Sequence, residues 1–327
     1  MNLPALVAPD SFKGTFGAAE VAGAIARGLR SGDGLEAIEL PVADGGEGTM
    51  EALLSALEGE VRSATVSGPL GDPVEAQFGL LAEGGAVVEC ARASGLGLVP
   101  EDRRDPIAAS TRGTGELIAA ACEAGAESIV LAVGGSGTTD GGEGAVGALH
   151  DAGLRPRIEV VCDVRTPFED APRVFAPQKG ATSAQVKELE ERLRRLAEQA
   201  PKDPRGEPMT GAAGGLAGGL WAHMGARLVA GAPYVLDRIG FDSLMRASAF
   251  VVTGEGRLDR QTLQGKVVGE VATRSRQAGV RSYAVVGRRE LDLFAARILD
   301  LERVIEATTL EEIEAAGREL AALVSAA

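Results

Sequence analysis

Aromatic residues are scarce in this chain: they make up 3% of its 327 residues, and Trp221 is the single tryptophan. Nucleic acid bases and many flat ligands are held by stacking on aromatic rings, so this scarcity disfavours such binding proteins. Positive charge is also in short supply, because 33 Lys and Arg residues face 47 Asp and Glu residues and leave a net charge of −14. That balance opposes binding to nucleic acid backbones and to anionic membranes. We therefore expect small-molecule partners, with no nucleic acid and no membrane among them.

Histidine and cysteine are too few and too scattered for several common kinds of site. The two histidines, His150 and His223, have no serine or cysteine elbow motif near them, which disfavours a hydrolase triad. The cysteines form no Cys-x-x-Cys pair and no Cys/His cluster, so a structural zinc site is disfavoured. Reduced core thiols in a cytosolic protein are the simplest interpretation of Cys90, Cys122 and Cys162.

Long apolar runs are absent as well. No segment approaches the roughly 20 apolar residues that a membrane-spanning helix needs, and the N-terminus has no signal-peptide pattern. The sequence therefore predicts a cytoplasmic protein. Hydrophobic residues still make up 45% of the chain, which is enough for a complete core, and the length suits about two domains.

Glycine, by contrast, is abundant, and one glycine-rich stretch organises the chemistry that the sequence predicts. Residues 129–133 form an apolar run that predicts a buried strand, and residues 134–142 break into glycines, hydroxyls and an acid before a helical pattern resumes. A glycine-rich turn between a strand and a helix N-terminus presents backbone N–H groups to an anion. We therefore predict that ATP phosphates bind this turn. The predicted contacts are Gly134, Gly135, Ser136, Thr138 and Thr139.

The same stretch carries acids that a bare phosphate would repel. Asp140 begins the sequence Asp-Gly-Gly-Glu-Gly, and Asp44 begins an identical copy that also lies between a strand pattern and a helical pattern. Acids beside a phosphate-binding turn make sense if a metal ion lies between them and the phosphate. Asp-Gly pairs also form ordinary turns, which is the simpler explanation of either loop taken alone. Two copies favour one shared site for phosphoryl transfer.

Further loops place polar residues at the ends of predicted elements. Asp10 and Lys13 follow the first strand, Asp163 and Glu255 follow later strands, and Lys179 precedes a helix. Ligands of open α/β sheets bind outside the carboxyl ends of the strands, so several of these loops are expected to face one cleft. Each has an alternative explanation, because loop lysines are mostly solvated and loop aspartates often cap turns.

The order of predicted elements indicates two domains, one of them discontinuous. Strand and helix patterns alternate at both ends of the chain, whereas short strands follow one another from about residue 61 to residue 91. The arrangement predicts an α/β protein with a doubly wound domain of flavodoxin or Rossmann type, formed by residues 1–62 and 230–327. A second, mixed α/β domain of residues 63–229 is predicted to interrupt it.

Two nucleotide-binding patterns give weaker alternatives. A P-loop is absent, because Gly265-Lys266 is followed by valine and lacks the upstream glycine. Gly142, Gly144 and Gly147 match the dinucleotide fingerprint, but the match begins well after its strand, and no acid lies at the expected later position. An NAD-dependent oxidoreductase is therefore the less favoured alternative to a kinase.

Five segments, in order along the chain, resemble the type-1 bacterial glycerate kinase family. The resemblance runs from residue 1 nearly to the C-terminus, and none of the motifs is of low complexity. The segments are Ala-Pro-Asp-Ser-Phe-Lys-Gly-Thr at residues 8–15, Pro-Val-Ala-Asp-Gly-Gly-Glu-Gly-Thr at 41–49, Gly-Gly-Ser-Gly-Thr-Thr-Asp-Gly-Gly at 134–142, Pro-Gln-Lys-Gly-Ala at 177–181 and Val-Thr-Gly-Glu-Gly-Arg-Leu-Asp-Arg-Gln-Thr at 252–262.

This resemblance implies ATP- and Mg²⁺-dependent phosphorylation of D-glycerate, to 2-phosphoglycerate in many members, with 3-phosphoglycerate as the other product. It also implies a flavodoxin-like domain interrupted by a second α/β domain. Departures from the usual family pattern lie in the predicted inserted domain. Thr139 stands where the family usually has Asn, Gly137 stands where it has Ala, and the stretch between Leu149 and Ile158 is shorter than usual. These departures bear on substrate range more than on the fold.

The acidic and basic residues are assigned roles as hypotheses. Asp140, with Asp163 or Glu255 as its partner, is predicted to hold Mg²⁺, since this ion prefers oxygen ligands. Lys13 or Lys179 is predicted to offset charge on the transferred phosphoryl group or to clamp the carboxylate of glycerate. Positioning and charge stabilisation dominate phosphoryl transfer, so these groups are expected to matter most.

The proton acceptor has two candidates, since Asp44 or Asp10 is placed to take the proton of the attacking hydroxyl. A non-catalytic protein that binds small acids is the main alternative from another functional class. Whether the chain forms a homodimer stays open.

Overall fold

The structure is a computed structural model, and the part of the chain that it describes comprises residues 3–31, 35–292 and 297–325. The strands, in chain order, are β1 (Ala5–Pro9), β2 (Ala37–Glu39), β3 (Gly59–Ser67), β4 (Pro73–Leu81), β5 (Gly85–Glu89), β6 (Ser128–Ala132), β7 (Arg157–Cys162), β8 (Arg227–Ala230), β9 (Phe250–Leu258), β10 (Arg281–Arg289) and β11 (Val304–Glu306). The helices named below are α1 (Ala18–Arg30), α2 (Thr49–Leu57), α3 (Ala91–Ser94), α4 (Arg112–Glu123), α5 (Glu143–Asp151), α6 (Ala171–Phe175), α7 (Ser183–Gln199), α8 (Leu216–Met224), α9 (Gly231–Arg238), α10 (Phe241–Arg246), α11 (Val267–Ala278) and α12 (Leu310–Ser325).

The chain folds into two compact units. The first comprises residues 1–44 and 231–327, and the second comprises residues 45–230. The sequence instead suggests divisions after residues 62 and 229. The first boundary lies earlier, after residue 44, because α2 packs on the sheet of the second unit and β3 is a strand of that sheet. β3 pairs with β4 along its length, and a Cβ on Gly79 of β4 would lie 3.0 Å from Leu54 of α2.

The first unit is built on a parallel sheet whose strands run in the order β11-β10-β9-β1-β2. In β1, Leu6 lies opposite Val251 of β9 on one side and Ile38 of β2 on the other. Helices α1 and α12 cover one face and α11 covers the other, as strands that are buried on both faces require. In this doubly wound order the switch point lies between β1 and β9, which confirms the predicted flavodoxin-like class.

The second unit contains a mixed sheet in the order β3-β4-β5-β6-β7-β8. Its first three strands are antiparallel and the rest are parallel, with Leu131 of β6 opposite Val88 of β5 and Val160 of β7. Helices α4, α5 and α8 pack against this sheet in one core. β6 confirms the strand that the apolar run predicts, and its carboxyl end delivers the glycine-rich turn to the start of α5.

No helix within the described ranges combines the length and the apolar character that crossing a membrane requires. Even α7, with 17 residues, buries only a narrow stripe that includes Leu189 and Leu193. The cytoplasmic location stays a prediction.

Candidate active site

An acidic cluster lies at the switch point of the first unit's sheet. Asp10 follows β1 directly, and Glu255 lies in the neighbouring β9, one residue beyond the pairing of Gly254 with Pro9. Asp44 belongs to the same cluster, since its negative charge acts on both of these acids. All three side chains are buried. Ligands of doubly wound sheets bind at the switch point, so the acids stand where the fold favours a ligand.

Lys13 stands beside this cluster on a short turn. Two backbone hydrogen bonds between Phe12 and Phe16, with N···O distances of 2.8 and 3.1 Å, close the turn. The ammonium of Lys13 donates to Oδ2 of Asp44 at 3.3 Å, while 59% of the lysine side chain stays exposed. The pair therefore joins an exposed ammonium, which water screens, to a buried carboxylate. The structure thus brings together four predicted site residues, this lysine and the three acids.

Burial and mutual repulsion raise the proton affinity of two of these acids. Burial first, and then the charge of Asp44, raise the pKa of Asp10 to about 8, although Lys13 acts in the opposite direction. Burial raises the pKa of Glu255 to about 7, even though the hydroxyl of Thr262 donates to its Oε1 at 2.6 Å. Acids that repel one another in this way accommodate a cation readily.

The cluster suits a Mg²⁺ site that substrate phosphates complete, rather than one formed by protein ligands alone. Within the described ranges, no three His, Cys, Asp or Glu side chains are placed to hold a metal by themselves. Mg²⁺, however, is commonly bound by one or two carboxylates together with substrate phosphates and water. Glu255 and Asp44, whose charges interact, fit that second arrangement.

In the second unit, the residues of the predicted phosphate-binding turn differ in exposure. Gly134 and Gly135 stay partly exposed, whereas the middle of the turn is covered by protein. A Cβ on Gly137 would lie 3.0 Å from the backbone of Leu96. The buried hydroxyl residues are Ser136, Thr138 and Thr139. Only the first two glycines therefore lie near solvent, and the N–H of Gly134 already donates to the carbonyl oxygen of Gly45.

Lys179 is a buried cation in the same unit. Its ammonium donates to Oγ of Ser136 at 3.3 Å and to the carbonyl oxygen of Thr138. It forms no ion pair with a carboxylate of the described residues, and its side chain is 3% exposed. Burial lowers the pKa of Lys179 to about 8. A buried ammonium without an ion-pair partner is costly even though the charge of Asp140 partly offsets its burial, so this position is suited to an anion.

Asp140 is held by hydrogen bonds that leave it little capacity for a metal. Its Oδ2 accepts from N and Oγ1 of Thr111, both at 2.8 Å, and from N of Gly144 at 3.2 Å. Its Oδ1 accepts from N of Gly142 at 3.1 Å. These bonds satisfy N–H groups at the start of α5, as a helix cap does. The contacts favour a structural role over the predicted metal role, and Asp163, its predicted partner, lies exposed at the end of β7.

The two Asp-Gly-Gly-Glu-Gly loops touch through their glycines. N of Gly134 donates to the carbonyl oxygen of Gly45 at 3.2 Å, and a Cβ on Gly134 would lie 2.6 Å from Cα of Gly46. Their leading acids nevertheless have different surroundings, because Asp140 accepts N–H groups and Asp44 pairs with a lysine. Identical local sequences therefore serve different purposes.

The first two of the three dinucleotide-like glycines, Gly142 and Gly144, are packed closely against protein, whereas Gly147 is not. A Cβ on Gly142 would lie 3.0 Å from the carbonyl oxygen of Leu216, and one on Gly144 would lie 2.2 Å from Oγ of Ser110. This close packing leaves little room for a pyrophosphate beside the first two glycines, which disfavours the NAD alternative.

Sequence patterns did not identify some residues that matter to these sites. Thr111 supplies two donors to Asp140, yet it lies in a loop with no motif. Arg104 has a buried Nε without a hydrogen-bond partner in the described ranges, although its run of charged neighbours resembles a solvated surface segment. Thr139, which the sequence did predict as a phosphate contact, has a buried hydroxyl without a partner in the described ranges.

The first unit is a doubly wound α/β fold with acids and a lysine at its switch point, and the second is a mixed α/β fold with a buried lysine. Together these features define a two-unit α/β protein equipped to bind small charged ligands. Residues 5–155 and 150–325 match the model of the Glycerate kinase family. The chain belongs to the glycerate kinase family.

Individual relatives agree with this assignment. A protein of Bacillus subtilis named glycerate kinase is 40% identical over 86% of this chain and 84% of its own length. A protein of Escherichia coli K12 named glycerate 2-kinase is 42% identical over 80% of this chain and 79% of its own. A crystal structure from Salmonella typhimurium LT2, provisionally named glycerate kinase 2, superimposes with a TM-score of 0.86 at 34% identity. That similarity covers 100% of this chain and 99% of the Salmonella chain.

Replacing Asp140 by asparagine tests its structural role. Asp140→Asn is expected to lower the free energy of unfolding by about 2 kcal/mol, because charge-assisted bonds to buried donors weaken, and to leave the Mg²⁺ concentration for half-maximal activity unchanged. Thermal unfolding and Mg²⁺ titration of activity measure the two effects. Asp102→Asn, which alters an exposed acid outside both charged sites, is the control and should change neither. An unchanged melting temperature together with a raised Mg²⁺ requirement would instead support Asp140 as a metal ligand.

The raised pKa of Asp10 predicts a pH-dependent cost in stability. Its folded-state pKa of about 8 lies above its ordinary value of 3.8, so the folded protein holds a proton that the unfolded chain releases between these pH values. Stability should therefore fall as pH rises through this window, by up to about 1.4 kcal/mol per unit. Asp10→Asn should remove this contribution, so its stability relative to wild type should grow from pH 4 to pH 8.

Urea unfolding at several pH values, with a chelator present, measures this difference. Asp102→Asn, which alters an exposed acid, is the control and should follow the wild type throughout. Parallel curves for Asp10→Asn and the wild type would refute the proposed burial of charge at Asp10.

Proposed function

We propose that the protein transfers the γ-phosphoryl group of ATP to a hydroxyl of D-glycerate in a Mg²⁺-dependent reaction that yields 2-phosphoglycerate. Membership of the glycerate kinase family supports the substrate pair, and the name of the Escherichia coli relative, glycerate 2-kinase, supports the position of the phosphate. The observation that carries the proposal is the cluster of buried acids and Lys13 at the switch point of the first unit. Phosphoryl transfer relies on such positioned charges more than on covalent chemistry.

Lys13 is the proposed stabiliser of the transferred phosphoryl group. Its exposed side chain reaches the cluster through Asp44, so the ammonium can move onto a phosphate oxygen without a large cost of burial. A positive charge placed where negative charge develops lowers the barrier of transfer.

Asp10 is the proposed acceptor of the hydroxyl proton. Its carboxylate is oriented by the N–H of Ser11 at 2.6 Å, and its pKa of about 8 suits a base that works near neutral pH. Asp44, the other candidate, already accepts a hydrogen bond from Lys13. This contact makes Asp44 better suited to hold a cation than to take a proton.

Glu255 and Asp44 are the proposed protein ligands of Mg²⁺. When bound, the ion would neutralise charge on the phosphates and orient them. Thr262 holds Oε1 of Glu255, which fixes the orientation of the carboxylate. Of the predicted phosphate contacts, the backbone of Gly135 remains proposed. The N–H of Gly134 already donates to Gly45, and the hydroxyl of Ser136 serves to orient a lysine.

A coupled assay of ADP release tests the proposed function. Release is expected only when ATP, D-glycerate and Mg²⁺ are all present, and carbon-13 NMR of the product should show the phosphate ester at carbon 2. An ester at carbon 3 would correct the position. Glycerate binding without any glycerate-dependent ADP release would instead identify a non-catalytic protein that binds small acids.

Replacing Lys13 tests the role of the exposed lysine. Lys13→Ala is expected to lower kcat/KM by about 100-fold or more, because a positive charge on the developing phosphate is lost. The melting temperature should fall as well, because the buried carboxylate of Asp44 loses its partner. Lys187→Ala, which alters an exposed lysine of α7, is the control. Unchanged kinetics for Lys13→Ala would assign the residue to the solvated surface.

A further inference from the structure

Arg104 lacks a partner within the described ranges. Its Nε atom is buried without a hydrogen-bond partner, and the guanidinium forms no ion pair there. Arg103, the preceding residue, shows the ordinary arrangement, since it pairs with Asp72 at 3.1 Å. A buried donor costs free energy unless an acceptor satisfies it. The Nε atom of Arg104 therefore needs an acceptor, and a ligand can supply it.

The side chain of Arg104 lies against the turn that carries Lys179. Gly180 ends this turn with a φ of +95°, and a Cβ built there would lie 3.7 Å from Cβ of Arg104 and 3.9 Å from its Cδ. Glycine at this position both permits the left-handed backbone and leaves room for the arginine stem. Arg104 thus lies against the turn that carries Lys179. Neither cation forms an ion pair in the described part of the chain, although the negative charge of Asp140 acts on Lys179.

Both cations line one narrow cleft of the second unit. Pro106, Ala109 and Gly137 form its buried floor, and Leu70 and Leu96 lie half-buried at its rim. The free space in the cleft is about that of one water molecule. This small free space excludes a bulky group from the cleft, and the two cations favour an anion at it.

We propose that Arg104 and Lys179 form the subsite that binds the carboxylate of the acceptor, a small 2-hydroxy acid such as glycerate. The proposal rests on the proposed kinase function and makes Arg104 a specificity-determining residue. Arginine presents paired N–H donors that match the two oxygens of a carboxylate. Lys179 uses two of its three donors on Ser136 and Thr138, which leaves one for the ligand.

The surroundings favour a carboxylate over the phosphates of ATP. A carboxylate is flat and carries one charge, whereas nucleotide phosphates are tetrahedral and arrive with a metal. Asp105 also lines the cleft, and its Oδ1 accepts from N of Ile107 and Ala108 at 3.0 and 3.1 Å. An exposed acid in that position opposes a multiply charged phosphate more strongly than a singly charged acid. Asp140, the other nearby carboxylate, is engaged by backbone N–H groups.

Steady-state kinetics of variants at Arg104, with a variant at Arg103 as the control, test the subsite. Arg104→Gln is expected to raise the KM for glycerate about 10- to 100-fold, because a charge-assisted bond is lost, with the KM for ATP and the melting temperature unchanged. Arg104→Lys should recover part of the loss. Arg103→Gln is the matched control and should leave every value unchanged, since Arg103 does not line the cleft. An unchanged KM for glycerate, or an equal rise in the KM for ATP, would overturn the proposal.

Equilibrium binding without ATP separates this proposal from the kinase function. Calorimetry should show that the wild type binds D-glycerate more tightly than glycerol, which lacks the carboxylate, or inorganic phosphate. Arg104→Gln should weaken glycerate binding about 10-fold or more. No binding of glycerate to the wild type, equal binding by the variant, or tighter Arg104-dependent binding of phosphate would each overturn the subsite. Arg104-dependent glycerate binding without ADP release would contradict the kinase function alone.

Discussion

Buried charge that the chain itself leaves uncompensated is the constraint on which both charged clusters depend. In the first unit, Asp10 and Glu255 bind protons more tightly than ordinary acids because burial and repulsion destabilise their charged forms. In the second unit, Lys179 and the Nε of Arg104 are buried cationic groups without a carboxylate partner in the described ranges. Such arrangements reduce stability and are typical of sites that a ligand completes. The packed sheets around them make up for this loss.

The course of the chain was largely predictable from hydrophobic pattern. The apolar run at residues 129–133 is β6, and the capping box of Thr182 and Gln185 begins α7 as its sequence indicates. The boundary between the two units at residue 44 was harder to predict. Helix α2 follows a strand and a glycine loop, so its sequence looks like one more strand–helix repeat of the doubly wound domain. Its docking on β4 depends on contacts such as Leu54 with Gly79, which a periodic pattern does not encode.

Asp140 and Asp44 show where local sequence stops being informative. Both begin the same five residues, and both loops precede a helix whose N-cap glycine has a positive φ. What distinguishes Asp140 is Thr111, which is 29 residues away and has no motif of its own. What distinguishes Asp44 is Lys13, 31 residues before it. The surroundings of each acid are set by long-range partners, so the local sequence could mark a candidate region but could not assign roles to its members.

The two predicted lysines, Lys13 and Lys179, differ in burial, and this difference suits them to different roles. Lys13 is 59% exposed and tethered to one acid, so it can follow a phosphoryl group as that group moves. Lys179 is buried and held by Ser136 and Thr138, so its ammonium is fixed in place. A fixed, desolvated cation discriminates between ligands by shape and charge, because an ill-fitting ligand leaves it unsatisfied. The sequence offered both lysines for either role. Only their burial, and the unpaired Arg104 beside one of them, separates a residue suited to transfer from a residue suited to selection.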